Sequence, residues 1–237
     1  MRVAGVQFRA ASGSLAASRR RLVRLARSAA VDADLLVLPE MAATGYAFDS
    51  FAAAQAVAET PDGETFAVLS AVAAAAGCWL VAGFPERAGD RLFNSAMVIR
   101  PDGELAFVYR KTMLFDAELP WATPGDSGYR AFDTDAGRFG VGICMDLNDD
   151  GFLGWCRGAA LDALAFPTNW VDEGDPDPWD YWASRLGAEP AALVAANTWG
   201  THGALRFCGR SAVLRQRVIL AALPKRGDGI LRTDLAL

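Results

Sequence analysis

Short, continuously apolar runs alternate along the chain with stretches in which apolar residues recur every three or four positions. Residues 3–8 (Val-Ala-Gly-Val-Gln-Phe) read as a strand by their β-branched and apolar content, and Leu15, Leu22, Leu25 and Ala29 mark a helix over 14–30. Residues 35–38 are apolar at every position, the pattern of a strand buried on both faces, and the run ends in Pro39-Glu40. A helix over 63–76 is followed by strands at 78–84, 92–100 and 104–110, the last two joined by Pro101-Asp102-Gly103, whose residue types suit a tight turn. Beyond a polar stretch at 116–127, strands at 129–133 and 138–143 flank an Asp-Ala-Gly turn. A helix at about 150–160, a strand at 163–166, a helix near 178–187 and a strand at 193–197 continue the alternation, and strands near 210–214, 217–222 and 229–234 close it. Strands and helices in turn, with hairpins between, predict an α/β protein with mixed sheets, a single domain over 1–237.

The longest run without charge, 66–84, raises the question of a membrane span. Four consecutive alanines, then Gly77, then a fresh apolar run read instead as a helix, its stop and a buried strand, so no membrane partner is expected. Composition agrees: 52% of the 237 residues are hydrophobic and 22% charged, enough for a large core and unlike a disordered chain. A formal net charge of −5 argues against nucleic acid as partner. Cys78, Cys144, Cys156 and Cys208 are scattered without a CxxC pair, which suits neither a disulfide scaffold nor a zinc site. The opening segment reads as a strand rather than a leader, so a cytoplasmic location is expected. Of 23 basic residues only Lys111 and Lys225 are lysines, which makes each worth a question.

His202 is the only histidine, and it lies in a turn-like stretch, Trp199-Gly200-Thr201-His202-Gly203. It reads as serving a loop or the mouth of a pocket rather than as a catalytic base. No metal is expected, since the carboxylates Asp172, Glu173, Asp175 and Asp177 lie in a Pro-rich loop that reads as solvated, and no nucleotide-binding glycine signature supports a cofactor. A hydrolytic site in this chain must therefore use a carboxylate or a lysine as its base. Glu40, Lys111 and Cys144 each fall at the C-terminal end of a predicted strand, where open α/β sheets place ligands. Each alone has an ordinary reading as a surface or buried residue. Together they supply a thiol nucleophile, a general base and an oxyanion-stabilising ammonium.

Leu36-Val37-Leu38-Pro39-Glu40, Tyr109-Arg110-Lys111-Thr112 and Gly140-Val141-Gly142-Ile143-Cys144-Met145-Asp146 resemble, in order and spacing, the three signature segments of the nitrilase or carbon–nitrogen hydrolase superfamily. The resemblance covers nearly the whole chain. It implies a four-layer α-β-β-α sandwich with two mixed sheets and a catalytic triad of Glu40, Lys111 and Cys144. It also implies a second glutamate, matched by Glu118 ahead of Thr123-Pro124-Gly125-Asp126, and an oxyanion hole that pairs the lysine with the backbone N–H of Met145. A homodimer is the family expectation. The chain departs from the pattern after the nucleophile, where Asn148-Asp149-Asp150-Gly151-Phe152 replaces a common Phe-Pro-Glu context, and after Ser211, where a Pro-Gly turn is missing.

The resemblance implies an amidohydrolase releasing ammonia from a small primary carboxamide, with an N-carbamoyl amine hydrolase and a non-catalytic binding module as alternatives. Cys144-Met145-Asp146-Leu147-Asn148 is similar to the nucleophile segment of protein N-terminal amidases. Asn169 and Trp170, after the strand at 163–166, are expected beside the substrate. Trp179 and Trp199 are candidates for the wall or for core packing, and the acidic run 172–180 suggests a cationic amide.

Overall fold

The computed structural model describes residues 1–11, 13–172, 174, 177–187 and 192–236. Its elements are β1 (Arg2–Gln7), α1 (Leu15–Ala30), β2 (Leu35–Val37), α2 (Phe51–Gln55), α3 (Glu64–Ala76), β3 (Trp79–Ala88), β4 (Arg91–Ile99), β5 (Leu105–Arg110), β6 (Arg130–Thr134), β7 (Gly137–Val141), α4 (Asp150–Gly158), β8 (Ala163–Thr168), α5 (Trp179–Leu186), β9 (Ala192–Asn197), β10 (Trp199–His202), β11 (Leu205–Cys208), β12 (Ala212–Arg215), β13 (Val218–Ala222) and β14 (Gly229–Asp234). Single 3₁₀ turns cover Asp116–Glu118 and Cys144–Asn148.

Local chemistry sets the boundaries. Ser14 opens α1 with its hydroxyl accepting the Ala17 N–H at 3.3 Å, and Gly77 closes α3 in the left-handed region, its N–H returning to Ala73. Because α3 stops there and β3 begins at Trp79, the uncharged run is a 13-residue helix plus a strand. Among the described residues no helix is long and apolar enough to cross a membrane.

Two six-stranded sheets carry the fold, in the orders β14-β1-β2-β3-β4-β5 and β13-β12-β9-β8-β7-β6. Each has a parallel centre, β1-β2-β3 in one and β7-β8-β9 in the other, flanked by antiparallel strands. Val3, Val37, Val81, Phe139, Val141 and Val194 meet between the sheets. Leu22, Ala26, Leu69 and Val72 seal α1 and α3 onto the first sheet, and Phe152, Trp182 and Leu186 seal α4 and α5 onto the second. Strands that are apolar on both faces are the direct consequence: each sheet has a neighbour on either side. The result is the α-β-β-α sandwich that the resemblance implied.

The stretch around His202, expected to be a turn, is instead the first strand of the small β10-β11 hairpin, with Trp199 opposite Cys208 and His202 opposite Leu205. Gly203, at a φ of +58°, supplies the tight turn that the sequence reading extended over the whole segment.

Candidate active site

Glu40 lies three residues beyond β2, Lys111 directly follows β5, and Cys144 lies three residues beyond β7. Main-chain ladders continue past the strand ends and fix the first two. The segment after β2 stays paired to β3, with Leu38 N–H to Val81 O, Gly83 N–H to Pro39 O and Ala42 N–H to Gly83 O at 2.8–3.0 Å. Gly83 has to be glycine for this approach, since a Cβ there would stand 2.4 Å from Glu40 Cα. Lys111 is gripped on both sides: its N–H donates to Asn94 O, and its carbonyl accepts the Gly125 N–H, each at 2.8 Å. A Cβ on Gly125 would lie 2.1 Å from Arg110 O, which is the physical reason for glycine in the Thr-Pro-Gly-Asp turn. Cys144 opens its 3₁₀ turn at a φ of +44°, a left-handed conformation unusual for a side chain of any size.

Asp146 ties the lysine and cysteine segments together. Fully buried, it accepts hydrogen bonds from Ile143 N–H at 2.8 Å, Thr112 N–H at 3.0 Å, Met113 N–H at 3.1 Å and the Tyr109 hydroxyl at 2.8 Å. One carboxylate thus sets the turn carrying Cys144 against the end of the strand carrying Lys111.

The polar centre is completely enclosed. Lys111 Nζ donates to Glu40 Oε1 at 2.9 Å and to Glu118 Oε1 at 2.8 Å, with all three side chains at zero exposure. An ammonium has three protons, so one remains for a further acceptor. Asn94 bridges the carboxylates from the other side, its Nδ2 donating to Glu40 Oε1 at 2.6 Å and also to Glu118 Oε1. Glu118 Oε2 accepts the Phe115 N–H at 2.7 Å, whereas Glu40 Oε2 is buried without a partner. Asn169 Oδ1 is likewise buried and unpartnered. Polar atoms of this kind are rare in protein interiors, and their gathering at one place points to a ligand.

Charge follows from burial. Desolvation lifts the Glu40 carboxyl to about 7, against the pull of Lys111 and with a push from Glu118. Burial alone would favour neutral Lys111, but Glu118 and Glu40 reverse this and hold the ammonium above the usual lysine range. The Cys144 thiol is pushed well up, first by burial and then by the Glu40 charge, with Lys111 and Thr168 pulling only partly back.

Cys144 lines a cavity of about 340 Å³, near the small end of ordinary ligand sites at ~300–1,000 Å³. Met145, Asn169 and Trp170, all expected near substrate, line it with Tyr46, Asn148 and Tyr181. The two tryptophans left open between wall and packing both pack elsewhere. Trp199 is not a wall residue; it sits on the β10-β11 hairpin, under the Arg9 guanidinium and bonded through Nε1 to Asp228. Trp179 does not line the cavity either: it packs in the α4-α5 layer, donates to Arg210 O and carries the Arg210 guanidinium. The acidic run is not a free charge field. Asp172 is paired with Arg206 at 3.1 Å and Lys225 at 3.4 Å, and Asp177 with Arg210 at 2.7 Å; Glu173 and Asp175 lie outside the described residues.

The matched family is "carbon–nitrogen hydrolase", over residues 2–237. This chain belongs to the carbon–nitrogen hydrolase family. As a member it is a hydrolase of non-peptide carbon–nitrogen bonds. It is 34% identical over 215 residues to a nitrilase of Pyrococcus abyssi (strain GE5 / Orsay), covering 86% of this chain and 78% of that one. It is 28% identical over 171 residues to a protein N-terminal amidase of Saccharomyces cerevisiae, covering 60% of this chain and 37% of the relative. In three dimensions it is similar to an amidase from Nesterenkonia sp., with a TM-score of 0.88 at 24% identity, covering 100% of this chain and 90% of the other. A mutant of that amidase forms a complex with butyramide.

Of the residues gathered at the site, the sequence alone does not single out Asn94 or Tyr46, and it shows Asp146 only within the Cys144 segment. For Asn94 a signal existed: it is a lone amide beside Ser95 inside an otherwise apolar strand, a placement that calls for a buried partner.

Proposed function

We propose that this hydrolase cleaves the C–N bond of a small primary carboxamide through a thioester on Cys144. The observation that carries the reading is the unpartnered, buried Glu40 Oε2 in a cluster whose other carboxylate oxygens are all satisfied. Glu40 takes the thiol proton on that oxygen as Cys144 Sγ attacks the amide carbon. The carbonyl oxygen becomes an oxyanion, held by the third Lys111 proton and the Met145 N–H, each donor worth about 3–4 kcal/mol in related acyl-transfer sites. Glu40 returns the proton to the departing nitrogen, ammonia leaves and the thioester remains. A water that gives its proton to Glu40 attacks the thioester, and collapse releases the carboxylic acid with the proton back on sulfur. Glu118 keeps Lys111 charged and aimed, and Asn169 Oδ1 is suited to accept from the substrate NH₂.

The tail of the substrate points toward Trp170, Tyr181, Asp172 and Asp177. Among the described lining residues none carries a positive charge, and the two aspartates are already paired with Arg206, Lys225 and Arg210, so a neutral tail is favoured over a charged one. Ammonia release is to be measured from butyramide, from amides with amine or carboxylate tails, from N-carbamoyl amines and from nitriles, with Cys144→Ala as control. Activity confined to primary amides and lost in the variant supports the reading. Activity on N-carbamoyl amines alone moves the assignment to that reaction, and activity that survives Cys144→Ala overturns it.

A further inference from the structure

His202, the only histidine, does not touch the Glu40-Lys111-Cys144 cluster, yet its ring is held in a defined arrangement. Nδ1 accepts the Tyr46 N–H at 2.9 Å and lies 3.4 Å from the Ala47 N–H. A ring nitrogen that accepts must carry no proton, so this contact exists only for the neutral imidazole. Room for the ring is made by Gly45: at a φ of +76°, a Cβ there would stand 2.3 Å from His202 Cε1. Gly203, in the hairpin turn, plays the same part for Ala47, whose Cβ would lie 2.9 Å from an added one. Tyr46 itself packs edge-on against Phe207 of the same hairpin, with ring centroids 5.7 Å apart. Three independent contacts thus fasten the loop over 45–47 to the β10-β11 hairpin.

The loop matters because of Tyr46. Its ring lines the substrate cavity with Cys144, and its hydroxyl lies beside Glu118 in the field of Glu40. We propose that neutral His202 is a positioning residue that holds Tyr46 in the active-site wall, where the Tyr46 hydroxyl orients the amide over Cys144. The inference rests on the amidase reading for the identity of the bound group, but not for its test. The charged or titratable groups facing the imidazole are Arg9, after β1, and Glu40, across a cavity of about 10 Å³. Burial first, and then the nearby Arg9 charge, disfavour a positive charge on the ring, in keeping with the neutral form that the geometry demands.

The test is the second-order rate at which iodoacetamide, itself a primary amide, alkylates Cys144, read by mass spectrometry of the intact protein and its peptides. Asn places an acceptor oxygen at the position of Nδ1 but cannot be protonated, whereas Leu fills similar space with no acceptor. His202→Leu is expected to slow alkylation about tenfold, the equivalent of one well-placed hydrogen bond, and His202→Asn to stay within about twofold. Tyr46→Phe slows it comparably, and the double variant H202L/Y46F is no slower than H202L, because one change displaces and the other deletes the same hydroxyl. Should H202L fail to fold, Gly45→Ala displaces the ring from the other side and must reproduce the slowing. The proposal is overturned if H202L reacts like the unaltered protein, if H202N is as slow as H202L, or if the two single effects multiply. An unaltered protein that hydrolyses no amide retires the proposed function and leaves these rates to decide the role of His202.

Discussion

Replacing Glu40 by Gln removes the proposed base and should leave the protein more stable at neutral pH. The buried cluster holds two carboxylates against one ammonium, a surplus negative charge in a region with no exposure. Its burden falls on Glu40, whose carboxyl is lifted from 4.5 to about 7, mainly by desolvation. At about 1.4 kcal/mol for each factor of ten, that lift means the ionised form destabilises the fold by about 3 kcal/mol relative to the unfolded chain. Glu40→Gln keeps an acceptor for Lys111 and for Asn94, and leaves a neutral Lys111-Glu118 pair.

The sign with pH follows from the raised value. Below 4.5 Glu40 is protonated in both folded and unfolded chains and contributes nothing. Between 4.5 and about 7 the folded chain holds the extra proton, and the destabilisation grows until it is complete above 7. The assay is urea unfolding followed by tryptophan fluorescence at pH 5 and pH 8, with amide hydrolysis in parallel. Expected are a gain for Glu40→Gln of up to about 3 kcal/mol at pH 8, a smaller difference at pH 5, and abolished turnover. A variant less stable than the parent at pH 8, or a difference that does not change with pH, would refute the reasoning.

The opposite change is predicted to be harmful: Lys111→Met leaves two buried carboxylates face to face and should cost about 3–5 kcal/mol at pH 8, less at pH 5, as unfolding midpoints will show. Gly83→Ala drives a Cβ into the backbone of Glu40 and Met41 and should cost about 2–3 kcal/mol with loss of activity; a variant with normal kinetics would mean that Gly83 does not set the Glu40 turn. Peptide mapping after iodoacetamide at pH 8 should find Cys144 labelled first. Cys208 shares the cavity, but the carboxylate near it, Asp172, is engaged by Arg206 and Lys225, and Cys78 and Cys156 are buried away from the cavity; faster labelling of any of these three overturns the assignment of the nucleophile.

The parts of the molecule legible in the sequence were those governed by local pattern. Continuous apolar runs announced β2, β8 and β9 because a strand between two layers has no polar face to show. Glu40, Lys111 and Cys144 stand out in the sequence because each falls at the end of a predicted strand and within a segment that resembles a family signature. Glu118 comes from the resemblance, as the glutamate ahead of a Thr-Pro-Gly-Asp turn, and that turn clamps Lys111 through Gly125. What escaped depended on neighbours far along the chain. Asn94 owes its role to contacts with residues 54 positions before it and 24 after it. The β10-β11 hairpin was hidden by its two glycines and by strands of only four residues, too short for alternation to register. Ion pairing was equally invisible. Asp172 read as part of an attractive acidic loop, whereas Arg206 and Lys225, more than thirty residues on, already neutralise it.

The protonation pattern also argues for a particular resting state. A cysteine nucleophile is usually explained by a depressed pKa, with the thiolate formed in advance. Here burial and the adjacent Glu40 charge push the Cys144 thiol up, so above about pH 7 the resting pair is a neutral thiol beside an ionised carboxylate. The ammonium of Lys111 cannot tip that balance, because Glu40 and Glu118 already engage two of its three protons. In the proposed mechanism an amide oxygen taking the third proton and the Met145 N–H lets negative charge leave sulfur as fast as it forms. Proton transfer and attack are then coupled, and the thiol is not exposed as a thiolate in the empty site. Acid should therefore switch the enzyme off through Glu40 rather than through Cys144, with the fall in kcat/KM centred near pH 7. An acid limb near pH 7 that persists in alkylation of Cys144 by iodoacetamide, which involves no leaving ammonia, would place the titration on this base and not on a later step.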